Sequence, residues 1–220
     1  ATSANYADLV MINGNYQTKP SFPFGPGIEC SGIVSAIGKK VNNVKIGQNV
    51  LAKVKHSGFA EYTIAEADLT FPFPKKMSWE EAGSFFVSYV SSYAAIKWQG
   101  ELKENQTILV LGASGGTGVT ALQIGKALGA KVIGSASNEK KLKTVKMQGA
   151  THTVNYKTED LKLRINQITS GSGVDVVFDP VGGNLFDKAL SSLGWGGKYL
   201  IFGFVGGIPS IPANRLLVKH

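Results

Sequence analysis

Cysteine and histidine are scarce in these 220 residues: there is one cysteine, Cys30, and only three histidines, His56, His152 and His220. A single thiol excludes an internal disulfide framework and fits a reducing compartment. The histidines lie far apart and show no metal-ligand spacing. No apolar run is long enough to span a bilayer, and no basic-then-apolar segment opens the sequence, so neither a membrane span nor a signal segment is read in it. Also lacking are a dense basic block and the interleaved aromatics of an RNA-binding sheet. The net charge is +8, yet the lysines are scattered, with doublets at 39–40, 75–76 and 140–141. An anionic small ligand therefore accounts for part of the charge better than nucleic acid does.

What is present is an ordinary globular composition, 43% hydrophobic and 17% charged, with 27 glycines gathered in short apolar stretches. Such clustering suggests tight turns between buried strands. The chain reads as α/β with two parts, predicted at 1–84 and 85–220. In the first, runs at 32–38, 49–52 and 60–64 are separated by Gly, Asn and Pro, a spacing that suits a small bent barrel. Ser78 with Glu81 forms a capping-box signal for a helix that continues from Ala82 to Ile96, with a break near Val90. From Thr107 strands and helices alternate. Strands are predicted at 108–111, 131–135, 151–155, 174–178 and 198–202, and helices over 116–128, 139–148, about 158–169, and between the last two strands. Repeats of this length imply a parallel, doubly wound sheet of the Rossmann kind.

Three features point to a dinucleotide. The turn from Ala113 through Gly115, Gly116 and Thr117 to Gly118 follows a buried strand and opens a helix. Glycines there admit a pyrophosphate, which free N–H groups and the helix dipole stabilise. The competing reading of such a turn is close strand–helix packing. After the second strand, where NAD sites carry an acid, stand Ser135-Ala136-Ser137-Asn138 and then Lys140, Lys141 and Lys143. A 2′-phosphate would be repelled by a carboxylate and attracted by an ammonium, so NADPH is expected, with Lys141 as the contact and Ser135 supporting it. The other lysines read as a solvated helix face. Phe202-Gly203-Phe204 ends the fifth strand on the ligand-binding edge, where either a nicotinamide or simple apolar packing would explain it.

Taken in order, Asn5-Tyr6-Ala7-Asp8, Asn13-Gly14-Asn15-Tyr16, Pro26-Gly27-Ile28-Glu29-Cys30-Ser31-Gly32, Gly58-Phe59-Ala60-Glu61-Tyr62, the glycine turn and Asp179-Pro180-Val181-Gly182-Gly183 resemble the zinc-independent quinone oxidoreductase and zeta-crystallin-like branch of the medium-chain dehydrogenase/reductase superfamily. The resemblance covers essentially the whole chain. It implies a GroES-like barrel joined to a Rossmann domain, and reduction of a quinone or an α,β-unsaturated carbonyl by NADPH. It also implies that Asn5 and Tyr16 face the substrate, that Ser91 contacts the nicotinamide, and that Tyr156 lies beside the adenosine phosphate. Tyr16 reads equally well as a loop-packing residue, and Glu29 as the organiser of a local hydrogen-bond network. Zinc-dependent relatives carry a Cys and a His where Asn5 and Ile28 stand here, so no metal is expected.

The resemblance further implies a cytoplasmic or mitochondrial protein, homodimeric at full length. The alternative function it leaves open is a non-catalytic NADPH-binding protein, crystallin-like or RNA-associated. Tyr93-Ala94-Ala95-Ile96-Lys97 matches the catalytic pair of short-chain dehydrogenases, but precedes the glycine turn and is read as chance. Cys30 has no histidine near it in sequence and reads as a buried structural thiol. By the same resemblance both ends of the chain look truncated, lacking the first barrel strands and the last Rossmann strand.

Overall fold

In the computed structural model, which describes residues 1–218, the first helix, α1 (Tyr6–Ile12), begins where the Asn5 N–H donates to Asp8 Oδ2 at 2.8 Å. Asp8 is buried, and its second oxygen accepts from the Gly27 N–H at 2.9 Å. The chain divides into two compact units, Ala1–Val90 and a second from Ser91 onward.

The first unit holds an antiparallel sheet in the order β1 (Glu29–Ile33), β2 (Asn49–Lys53), β3 (Thr70–Pro72). Its register pairs Ser31 with Leu51 and Leu51 with Phe71. The expected strand over 32–38 is instead β1, ending at Ile33. Residues 60–64 form no strand, and Ile64 is 95% exposed. Alternating apolar residues signal a strand only where a neighbour completes the ladder, and this segment has no such partner among the described residues. The Ser78 cap is as expected: its hydroxyl accepts from Glu81 N at 3.1 Å, and Glu81 Oε2 accepts from Ser78 N at 2.8 Å. It starts α2 (Trp79–Gly83), but the helix expected to run to Ile96 is repeatedly widened. Phe86–Val90 and Ala94–Gln99 are π-helical, with α3 (Ser91–Tyr93) between them.

The second unit is a five-stranded parallel sheet with helices in the crossovers. In chain order it runs β4 (Thr107–Val110), α4 (Gly116–Ala127), β5 (Lys131–Ala136), α5 (Glu139–Met147), β6 (His152–Asn155), α6 (Leu161–Ile168), β7 (Val174–Asp179), α7 (Phe186–Ser191), β8 (Leu193–Ile201) and α8 (Ala213–Leu217). The sheet order is β6-β5-β4-β7-β8. Ile108, Leu109, Val110 and Leu111 are all fully buried, as a strand covered on both faces requires. One core joins Leu109, Ile133, Val154 and Val177 to Leu161 and Ile165 of α6 and Phe186 and Leu190 of α7. Two boundaries differ from expectation by more than one residue. α6 starts after Asp160, whose carboxylate accepts from Leu163 N at 2.9 Å and so sets the cap. β8 begins at Leu193, five residues before the apolar run at Lys198, and its pairing with β7 shifts between Val174 and Val176. Strand order reverses at β4, so the carboxyl ends of β4 and β7 flank the crevice where such sheets bind ligands.

Candidate functional site

The turn between β4 and α4 is tied to strands on both sides. Leu111 N donates to Phe178 O, and Ala113 N to Ser135 O, both at 3.0 Å. Gly112 has φ +55°, and a Cβ there would lie 2.8 Å from Val181 Cγ2. A Cβ on Gly118 would sit 2.7 Å from Ala113 Cα, so strand–helix packing alone requires that glycine. Gly115 differs. Its φ of −80° suits any residue, and the nearest atom to a built Cβ is Gly112 O at 3.4 Å. No side chain caps α4 at Gly115. The first-turn N–H groups at Gly116, Thr117 and Gly118 therefore have no capping partner and, as at any helix start, favour an anion. Beside them, Thr120 Oγ1 lies 2.8 Å from the buried Ser92 Oγ and donates to Thr117 O at 2.9 Å. Ser91 itself is exposed at the start of α3.

At the carboxyl end of β5 the structure corrects one expected contact. Ser135 is fully buried and its hydroxyl donates to Val110 O at 3.4 Å, so it cannot meet a phosphate. The reason is its place inside β5, between β4 and β6, with the strand ending one residue later at Ala136. Ser137 is the first residue beyond it. Lys141 Nζ donates to Ser137 Oγ at 3.3 Å, while Lys141 N donates to the capping Asn138 Oδ1 at 2.9 Å. The nearby Glu139 carboxylate accepts from Asn155 Nδ2 at 3.1 Å. Lys146 Nζ is spent on Thr151 O at 3.0 Å. Tyr156, half-buried, follows β6 and donates its N–H to Ala136 O at 3.2 Å, which puts it on the same sheet edge.

Phe202, Gly203 and Phe204 follow β8. Phe202 N and Gly203 N donate to Asp179 O at 2.8 and 3.2 Å, and the rings of Phe202 and Phe178 are 4.6 Å apart. A Cβ on Gly203 would meet Pro180 O at 3.0 Å, and Phe204 is 45% exposed. The residue that organises this edge stands in the sequence only as part of a family motif, with no role assigned to it. Asp179, buried at the end of β7, accepts from Val181 N, Gly182 N and Tyr199 Oη at 2.7, 2.8 and 2.7 Å. Burial and the adjacent carboxylate raise the Tyr199 pKa far above its ordinary value, so the phenol stays a donor.

Asn5 and Tyr16 belong to the first unit. Asn5 Nδ2 donates to Glu29 Oε1 at 2.9 Å and to Ser3 Oγ at 3.0 Å. Glu29 is buried and also accepts from Ser3 Oγ and, through Oε2, from Val87 N at 2.9 Å. Glu29 is thus the hub of a hydrogen-bond network. Tyr16 is half-buried in the loop after α1, and among the described residues no hydrogen bond joins it to that network. Cys30 is partly buried, and desolvation raises its thiol pKa, which argues against a nucleophile. Ile28 is buried, and among the described residues no three His, Cys, Asp or Glu side chains gather as a metal site. No helix among them is long and apolar enough to cross a membrane.

Comparison with known proteins places both units in described families. Residues 1–75 match the alcohol dehydrogenase GroES-like domain, and residues 116–220 the family described as zinc-binding dehydrogenase. The quinone oxidoreductase-like protein 2 homolog of Nematostella vectensis is 37% identical over 98% of this chain and 60% of its own length. Quinone oxidoreductase-like protein 2 of Bos taurus is 37% identical over 98% of this chain and 62% of its own. The chain thus spans about three fifths of the curated relatives it matches. Among solved structures, Escherichia coli quinone oxidoreductase complexed with NADPH superposes with a TM-score of 0.91 at 32% identity, over 99% of this chain and 67% of that one.

Proposed function

The chain belongs to the quinone oxidoreductase group of the medium-chain dehydrogenase/reductase superfamily, and from that premise we propose that the protein reduces a quinone or an α,β-unsaturated carbonyl with NADPH and without zinc. One observation carries the cofactor reading. Packing explains Gly118 but not Gly115, whose backbone leaves room that the fold itself does not need. That open face, with the uncapped start of α4, suits a pyrophosphate approaching the backbone closely. The relatives support the choice, since the E. coli enzyme is described in complex with NADPH.

The residues present fit such a ligand. Gly115, Gly116, Thr117 and Gly118 would hold the pyrophosphate. Lys141 would meet the 2′-phosphate, with Ser137 in the supporting place first expected of Ser135, and Tyr156 would flank the adenosine. Ser91, Phe202, Gly203 and Phe204 would border the nicotinamide, which when bound supplies a hydride. Asn5 and Tyr16 are proposed to face the substrate. The Asn5 amide is oriented by its bond to Glu29, and Ile28 offers no ligand, so this part of the chain has the wrong chemistry for zinc. An electron-poor quinone or enone accepts hydride without a Lewis acid, and water can supply the proton.

The test mixes purified full-length protein with NADPH and a panel of quinones and enones, following nicotinamide absorbance with and without a chelator. Turnover with at least one acceptor, unchanged by chelation, is expected. No turnover above background with any acceptor removes the reading, and loss of activity on chelation removes its zinc-free part.

A further inference from the structure

We propose that Asp179 and Tyr199 are a positioning pair that shapes the β7 and β8 loops for the nicotinamide half of NADPH. The inference rests on the cofactor reading above and assigns a job to two residues outside the expected site. Asp179 gathers five donors. Its Oδ1 takes Val181 N and Gly182 N, its Oδ2 takes the Tyr199 hydroxyl, and its backbone carbonyl takes Phe202 N and Gly203 N. One residue therefore fixes the chain leaving β7 and the chain leaving β8.

The two loops are interlocked beyond that residue. Gly206 N donates to Val181 O at 2.7 Å, and Gly183 N to Gly207 O at 2.9 Å. Gly182 has φ +64°, and a Cβ there would meet Gly207 O at 2.6 Å. Val181 in turn packs over Gly112, at the root of the phosphate turn. Among the described residues the Asp179 carboxylate is met by neutral donors only, with no ion pair to a cation. A buried carboxylate of this kind is a poor source of stability, whereas it is an effective organiser of backbone N–H groups.

Its place decides which half of the ligand it serves. A doubly wound sheet binds a dinucleotide across the strand-order reversal, one mononucleotide on each side. Ser137 and Lys141 lie past β5 on one side of β4, and Asp179 and Tyr199 lie on β7 and β8 on the other. Loosening the pair should therefore weaken the grip on the nicotinamide half and leave the adenosine half alone.

The experiment titrates full-length wild-type protein, Tyr199→Phe and Asp179→Asn with NADPH and with 2′,5′-ADP, which lacks the nicotinamide half, by calorimetry. Tyr199→Phe should weaken NADPH binding about tenfold, the scale of one hydrogen bond to a charged group, and leave 2′,5′-ADP binding unchanged. Asp179→Asn should do the same more strongly. If NADPH binding is unchanged in Tyr199→Phe, or both ligands weaken in parallel, the positioning role is wrong. Wild-type protein that fails to bind NADPH overturns the cofactor reading itself, and this inference with it.

Discussion

The Lys141 ammonium donates to the Ser137 hydroxyl at 3.3 Å, while the backbone N–H of the same lysine is held by Asn138 Oδ1 at 2.9 Å. The lysine is therefore anchored at its base and free to turn its charge outward at the end of β5. Among the described residues it has no carboxylate partner. Lys141→Ala should weaken NADPH binding about tenfold or more at low salt, since a charge-assisted contact to phosphate is lost. NADH binding, which involves no 2′-phosphate, should change little. The difference should shrink as ionic strength rises, because the ammonium is exposed. Parallel titrations with both nucleotides check it, and equal losses would show that Lys141 does not read the phosphate.

Gly115 and Gly118 separate binding from folding. Gly118→Ala drives a methyl to within 2.7 Å of Ala113 Cα and should cost about 1–3 kcal/mol of stability, the usual scale of overpacking. Gly115→Ala meets only Gly112 O at 3.4 Å and should melt close to wild type. It should nevertheless lose most of its NADPH affinity, because the methyl occupies the space a pyrophosphate needs. Thermal melts with and without NADPH would show it. Gly115→Ala that binds as wild type would leave the turn with a packing role only.

The parallel sheet was legible because its strands are buried on both faces, so Ile108–Leu111 stands out as an unbroken apolar run and Val174–Phe178 as one interrupted only by the half-buried Asp175. The glycine turn was legible as a strand-to-helix turn for the same reason, since a buried strand precedes it and a helix follows it. Depth was harder to read. Whether Ser135 or Ser137 meets solvent depends on β5 ending at Ala136, and one residue decides it. The strand expected at 60–64 failed because a local pattern cannot supply its own ladder partner. The Asp179–Tyr199 pair joins residues 20 apart in sequence through two strands whose register slips between Val174 and Val176. No periodicity reveals a pairing set by such an irregularity.

Glu29 is buried and accepts from Ser3 Oγ, Asn5 Nδ2 and Val87 N, which are all donors. Glu29→Gln presents an amide N–H₂ to at least one of them and leaves a half-buried donor facing another donor. The expected loss is about 1–3 kcal/mol, read by urea denaturation. Asn5→Ala, which removes one of the donors, should cost less. If Asn5 also faces the substrate, the alanine variant should lose turnover out of proportion to its lost stability. A Glu29→Gln protein as stable as wild type would contradict the network.

Tyr199 gives the pH dependence its sign. In the native protein burial and Asp179 hold its proton, raising the pKa above the ordinary value of 10.0 that the unfolded chain would show. Above that pH the unfolded state sheds the proton and the native state keeps it, so the unfolded state binds fewer protons and stability falls as pH rises. Below that pH both states are protonated and the Tyr199–Asp179 hydrogen bond contributes in full. Lysines and the other tyrosines titrate in the same window, so the comparison must be with Tyr199→Phe, which keeps all of them. The stability gap between wild type and Tyr199→Phe should be flat from neutral pH to about one unit below the tyrosine value, then narrow steadily as pH climbs past it. Urea denaturation of both proteins across that range measures the gap. A gap that stays constant to the alkaline limit would mean that the phenol ionises as readily in the native protein as in the unfolded chain, and that its bond to Asp179 does not hold the proton.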